Sequence, residues 1–150
     1  MKIQKLELKS IKHSAVLSQE THAYSANIYV NGKRVGVVSN EGSGHCDSVF
    51  LDKGTVITIE QINQYCKSAY IDDCDFEYWC CEQVNRYLAK KDLKKELKSK
   101  ILLIQNCRIY GYKCKPTQVN IDAIKKRYNI EITLNEMDFE VALENYIKYT

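Results

Sequence analysis

Apolar positions in the first half of the chain alternate with period two, and in the second half they mostly recur every three or four residues. Lys5-Leu6-Glu7-Leu8-Lys9 alternates as a half-buried strand does. Tyr24-Ser25-Ala26-Asn27-Ile28-Tyr29-Val30 alternates more clearly and runs into Asn31-Gly32. That dipeptide signals a two-residue hairpin, because a type I′ turn needs positive φ at both central residues. A two-residue loop there pairs Ile28 with Val35 and Ala26 with Val37. Both pairs then fall on one face, so turn and apolar pattern select the same register. A glycine-rich loop, 40–47, leads to a further strand at Ser48-Val49-Phe50-Leu51, and Asp52-Lys53-Gly54 reads as a turn.

Near residue 57 the period changes. Thr58-Ile59-Glu60-Gln61 fits a capping box, in which threonine and glutamine side chains satisfy each other's orphan backbone N–H groups. Ile59, Ile62, Cys66 and Ala69 share one helical face. Asp72-Asp73-Cys74-Asp75 interrupts and supplies a new N-cap. Phe76, Trp79, Cys80, Val84, Tyr87 and Leu88 make a second stripe, with Asp92 a point of restart or kink before Leu93 and Leu97. Two short strands, 101–104 and 108–112, flank Asn106-Cys107. Pro116-Thr117 opens a helix carrying Ile121, Ile124 and Tyr128. Ile130 to Leu134 alternates as a short strand, and Asp138 caps a last helix with Phe139, Ala142, Leu143, Tyr146 and Ile147 inward. The expected fold class is α+β: an antiparallel β-rich N-terminal half with an Asn-Gly hairpin, then helices and a second small β element. One domain over 1–150 is expected, with a lobe boundary, where there is one, near 57.

Composition narrows the function classes. At 150 residues folding buries roughly 70% of the unfolded surface, so no disulfide or metal staple is required. Lys and Arg number 22 against 19 Asp and Glu, a net +3 that marks neither a strongly basic nucleic-acid binder nor an acidic DNA mimic. The N-terminus has no apolar signal-peptide core, and no uncharged apolar run approaches the ~20 residues of a membrane helix. The expectation is a cytosolic chain with reduced thiols and no membrane partner. Lysine far outnumbers arginine, and Ile, Asn and Tyr are plentiful. This is the codon bias of AT-rich DNA and suits a low-GC bacterium or its phages.

Few residues suggest chemistry. Gly42 and Gly44, in Asn40-Glu41-Gly42-Ser43-Gly44-His45-Cys46-Asp47, allow close backbone approach, and their N–H groups suit an anion nest to which Lys33 or Arg34 would add charge. The plain alternative is a wide turn. The loop is neither a Walker loop nor a dinucleotide fingerprint. His45-Cys46-Asp47 combines thiol, base and carboxylate, but adjacent residues in extended chain face opposite ways. The seven cysteines show no Cys-x₂-Cys spacing, and Cys66 and Cys80 lie on apolar helix faces, so core thiols without metal or cofactor are expected. Arg86 to Lys100 carries seven basic and two acidic residues, while Asp72 to Glu82 carries five acids and no base. Lys90, Lys91, Lys94, Lys95 and Lys98 are the candidate phosphate contacts, the alternative being a solvated helix face. Eleven tyrosines tilt the surface toward interfaces, since Tyr buries a rigid area and keeps a polar tip.

Residues 24–46, from Tyr24-Ser25-Ala26 through Asn31-Gly32-Lys33 to Asn40-Glu41-Gly42-Ser43-Gly44, resemble a hairpin-and-loop pattern in small uncharacterised phage and mobile-element proteins. Leu134-Asn135-Glu136-Met137-Asp138-Phe139-Glu140-Val141-Ala142-Leu143 resembles their C-terminal end. The likeness covers about a fifth of the chain. His45 stands where such loops often have a second glycine. The resemblance implies a mobile-element origin and carries no activity. The combined expectation is a non-enzymatic protein that binds a host or partner protein, for example to inhibit a defence system, with Arg34, Asn40, Gly42, Gly44 and His45 as binding residues. The alternatives are a small-ligand or nucleotide binder using the glycine loop, a nucleic-acid binder using the lysine-rich helix 86–100, and last an enzyme with a Cys or His centre.

Overall fold

The computed structural model describes residues 2–69 and 74–150. The fold is α+β. It divides into two compact units, 1–85 and 86–150, and the division falls inside a helix.

The first unit is built on a four-stranded antiparallel meander in the order β1 (Leu6–Ser14), β2 (Ala23–Val30), β3 (Lys33–Glu41), β4 (Ser48–Leu51). The β2–β3 turn is the expected one. Asn31 and Gly32 have φ of 51° and 82°, both left-handed, and Val30 pairs with Lys33 and Tyr29 with Arg34. The asparagine also clasps the chain before β1: its Oδ1 accepts from the N–H of Gln4 and Lys5, and its Nδ2 donates to the Lys2 carbonyl.

Beyond Tyr29 the register differs from the expected one. Ile28 pairs with Gly36, not Val35, and Ala26 with Val38, not Val37. Val35 is the extra residue of a β-bulge, and its carbonyl accepts from the Asp52 N–H at 2.7 Å. The bulge sets Val38 in the core and moves Val37 to the outer face, where it pairs with the exposed Phe50. Gly36 permits this because a Cβ there would lie 2.4 Å from the Phe50 carbonyl oxygen.

One sheet face is apolar throughout, with Tyr24, Ala26, Ile28, Val30, Val35 and Val38 all buried. The helices of this unit bury matching faces. α1 (Ile59–Ala69) starts with the expected capping box, the Thr58 N–H donating to Gln61 Oε1 and the Gln61 N–H to Thr58 Oγ1. It buries Ile62 and Cys66 fully. Ile59 and Ala69, expected inward, lie exposed at its two ends. α2 (Phe76–Ser99) is capped by Asp75, which accepts from the Tyr78 N–H, and buries Phe76, Trp79, Cys80 and Val84 in this unit. The other acids of that cap, Asp72 and Asp73, lie outside the described residues. α2 runs unbroken past Asp92, which does not restart it, because that side chain is solvent-exposed and asks nothing of the backbone.

In the second unit β5 (Ile101–Gln105) and β6 (Arg108–Tyr112) form a hairpin on Asn106 and Cys107, with φ of 52° and 58°. α3 (Gln118–Tyr128) is capped by Thr117, and Tyr128 stacks on Tyr112 at 4.8 Å. The strand expected over 130–134 is absent. Ile132 is exposed while Thr133 and Leu134 are both fully buried, so burial does not alternate. Thr133 and Glu136 instead close a capping box on a 3-10 turn, Leu134–Glu136. Asn135 in that turn bonds the backbone beside β5, accepting from the Leu102 N–H and donating to the Lys100 carbonyl. The core here is Leu93, Leu102, Leu134, Ala142 and Leu143, the last two from α4 (Phe139–Tyr149). Ile147, expected inward, is 41% exposed near the end of α4.

Replacing Gly36 by Ala should therefore cost about 2 kcal/mol, since β4 must retreat from the new methyl. Gly32→Ala meets no atom and bears only the left-handed φ, about 1 kcal/mol. Urea midpoints for the two variants check the order.

Candidate functional site

The expected binding loop folds back on its own chain. β1 and β2 are joined by the segment 15–22, and this segment is laid against Gly42. The Gly42 carbonyl accepts from the N–H groups of Gln19, Glu20 and Thr21 at 3.1, 3.0 and 3.4 Å. A Cβ on Gly42 would stand 2.1 Å from the Leu17 carbonyl oxygen, and its φ of 89° is left-handed. At Gly44 the atom nearest a Cβ is the tip of the Glu20 side chain, which can turn aside, and it is the left-handed φ of 92° that favours glycine there. The close approach that Gly42 allows is thus used between two loops of this unit. The N–H groups of both glycines are directed inward too, that of Gly42 to Asn40 Oδ1 and that of Gly44 to Thr21 Oγ1.

Asn40 is the junction. Its Oδ1 accepts from the Thr21 hydroxyl and the Gly42 N–H, and its Nδ2 donates to the His45 carbonyl and to Asp47 Oδ1. Asp47 in turn accepts from the Tyr24 hydroxyl at 2.7 Å, and its own N–H donates to Glu77. Burial first, then Cys80 and Asp47 close by, push the Tyr24 hydroxyl far above its ordinary range. His45 and Cys46 are exposed at the loop surface. Arg34 does not join this group. It belongs to the hairpin end of β3, six residues or ~20 Å along the strand from Asn40, and pairs with Asp52 at 2.7 Å.

Two hollows flank Asn40 and Tyr24. The larger, of about 670 Å³, is bordered by Lys12, His13, Leu17, Gln19 and Ser43. The smaller, of about 300 Å³, has Asp47, Asp75 and Glu77 in its wall, with Tyr78, His22 and Cys81. His13 Nε2 and His22 Nδ1 lie 3.1 Å apart, and His22 Nε2 is 2.7 Å from Asn85 Oδ1. The thiols of Cys66, Cys80 and Cys81 are held protonated. Burial pushes Cys66 up to about 12, and raises Cys80 further, with Asp47 adding to it. Cys81 is raised by partial burial and by Glu82 and Asp47. Such a setting suits packing and not thiolate chemistry.

The lysines expected to contact phosphate are exposed on α2 and span an arc of about 140° at 100° per residue. Lys94 lies over the Phe139 ring, 5.7 Å from its centre. Lys98 borders a hollow of about 440 Å³ with Lys100, Lys113 and Lys115, three residues outside the set of candidate phosphate contacts. The signal was available in the hairpin register, since pairing Ile101 with Tyr112 brings Lys100 and Lys113 side by side. The segment 15–22 was also missed. Its only mark is a set of small hydroxyl residues, of which Ser18 Oγ accepts from the Ala23 N–H.

No family model matches the chain, and searches of curated proteins and of solved structures likewise return no match.

Two outcomes follow. Asn40→Ala should destabilise by about 2 kcal/mol, because it orphans several part-buried groups together, whereas His45→Ala should change stability by less than about 0.5 kcal/mol; guanidinium melts measure both. Stability should also fall as pH rises above ~9. The buried thiols and Tyr24 ionise at lower pH in the unfolded chain than in the folded one, so their contribution is complete below that pH and is lost above it. Melting midpoints in Cys66→Ala should fall less over the same range.

Proposed function

We propose that the chain is a small, non-enzymatic binding protein that engages a partner protein through the loop end of its four-stranded sheet. The observation that carries this reading is the segment 15–22. Its backbone is held by Gly42, yet Val16 and Leu17 are 87% and 59% exposed. A loop held in one conformation has already lost most of the entropy that binding would otherwise cost. Two large aliphatic side chains on such a loop gain about 1.5–3 kcal/mol each when a partner covers them. The carboxylates of the neighbouring hollow favour a partner with a basic rim, which would steer approach. The raised thiols favour binding over catalysis.

The resemblance of residues 24–46 to phage and mobile-element proteins covers the β2–β3 hairpin and the glycine loop that pins this segment. It supports a mobile-element origin, action in the cytosol of a bacterial host, and a host protein as the target, a defence component being one such target. Among the described residues no helix is long and apolar enough to cross a membrane.

The test is affinity capture from host extract with the native chain and with Val16→Ser/Leu17→Ser. Both substitutions are exposed, so the melting midpoint should stay within about 2 °C. The native chain should retain a defined host protein and the double variant should lose it. Equal retention by the variant would move the contact elsewhere on the molecule.

A further inference from the structure

We propose a second binding activity, carried by the second unit alone: recognition of the phosphate backbone of nucleic acid at the hollow where α2 ends and the β5–β6 hairpin opens. The charge of the chain is divided between its units. Residues 86–150 hold 14 Lys and Arg against 8 Asp and Glu, a net +6, while residues 1–85 hold 8 against 11, a net −3. The modest total of +3 hides a strongly basic half.

Within that half the fold gathers lysines from separate segments. α2 ends at Ser99 and delivers Lys98. The β5–β6 register pairs Ile101 with Tyr112, so Lys100 and Lys113 leave the hairpin together at its open end. Lys115 follows, and its carbonyl accepts from the Thr117 N–H and from Asn120 Nδ2, which fixes the course of the chain into α3. Lys98, Lys100, Lys113 and Lys115 thus surround a hollow of about 440 Å³, with Ser99 in its wall. Lys100 is compensated by Glu96 at 2.8 Å. Among the described residues the other three have no acidic partner.

Lysines set around one hollow repel one another, and a ligand carrying successive phosphates removes that repulsion while releasing its own condensed counterions. Neither a row of base-reading side chains nor a recognition helix is needed, so binding is independent of sequence and depends on salt. Lys90, Lys91, Lys94 and Lys95 face solvent along α2 and would serve approach more than contact.

Fluorescence anisotropy with a labelled mixed-sequence duplex of about 20 base pairs, titrated at roughly 50 to 200 mM salt, tests this. The native chain should bind at the lower salt and weaken steeply toward the higher. Lys113→Ala/Lys115→Ala should bind about tenfold more weakly and lower the slope of log affinity against log salt by about 2, one for each lost phosphate contact. Both lysines are exposed, and Lys113→Gln/Lys115→Gln provides a second variant if the first folds poorly. Absence of binding at the lowest salt, or an unchanged slope in the folded variants, would overturn the proposal. So would a larger loss from Lys90→Ala/Lys91→Ala/Lys94→Ala, which would place contact on the helix face. The site lies wholly in the second unit, so these results leave the partner-protein reading to its own test.

Discussion

The carbonyl of Gly42 holds the loop end of the first unit together. It takes three successive N–H groups from the segment 15–22, and only a residue without a Cβ lets Leu17 come close enough for them to reach it. Asn40 then locks the arrangement from the strand side, binding Thr21, Gly42, His45 and Asp47 at once. Backbone groups in a loop must find partners as they do in a strand. Here a glycine and an asparagine supply those partners without regular secondary structure. The consequence for function is that exposed Val16 and Leu17 stand on fixed backbone.

The fold was legible wherever one local requirement decides the outcome. Asn31-Gly32 specifies its turn because few residues accept positive φ, and Thr58-Ile59-Glu60-Gln61 specifies a helix start because the Thr58 and Gln61 side chains each satisfy the other's backbone N–H. Non-local requirements were not legible. The bulge at Val35 and Gly36 lies where β4 presses its backbone on β3, a neighbour whose approach the hairpin sequence does not encode. The misread strand at 130–134 had a competing local signal in plain view. Thr133-Leu134-Asn135-Glu136 is itself a capping-box pattern, and it prevailed over an alternation that reflects composition more than burial.

The candidate site was legible in part. The glycine loop was identified, but the sequence does not reveal that the atoms approaching its glycines belong to the same chain. Asn40 was included for its place in the loop and proves to be the junction of the network. Arg34 was included for nearness in sequence, which a strand converts into distance. Along the chain the charges fall into basic and acidic runs. By compact unit these runs amount to an acidic half that holds the loop site and a basic half that holds the lysine hollow.

Segment 15–22 is ordered in the free protein by its bonds to Gly42. Native-state amide hydrogen exchange read by NMR tests it directly. The amides of Gln19, Glu20 and Thr21 should exchange slowly, with protection approaching that of the central strands β2 and β3, and should lose that protection in Gly42→Ala while the β2 and β3 amides keep theirs. Exchange of these three amides at the rate of an unstructured loop in the native chain would contradict the account.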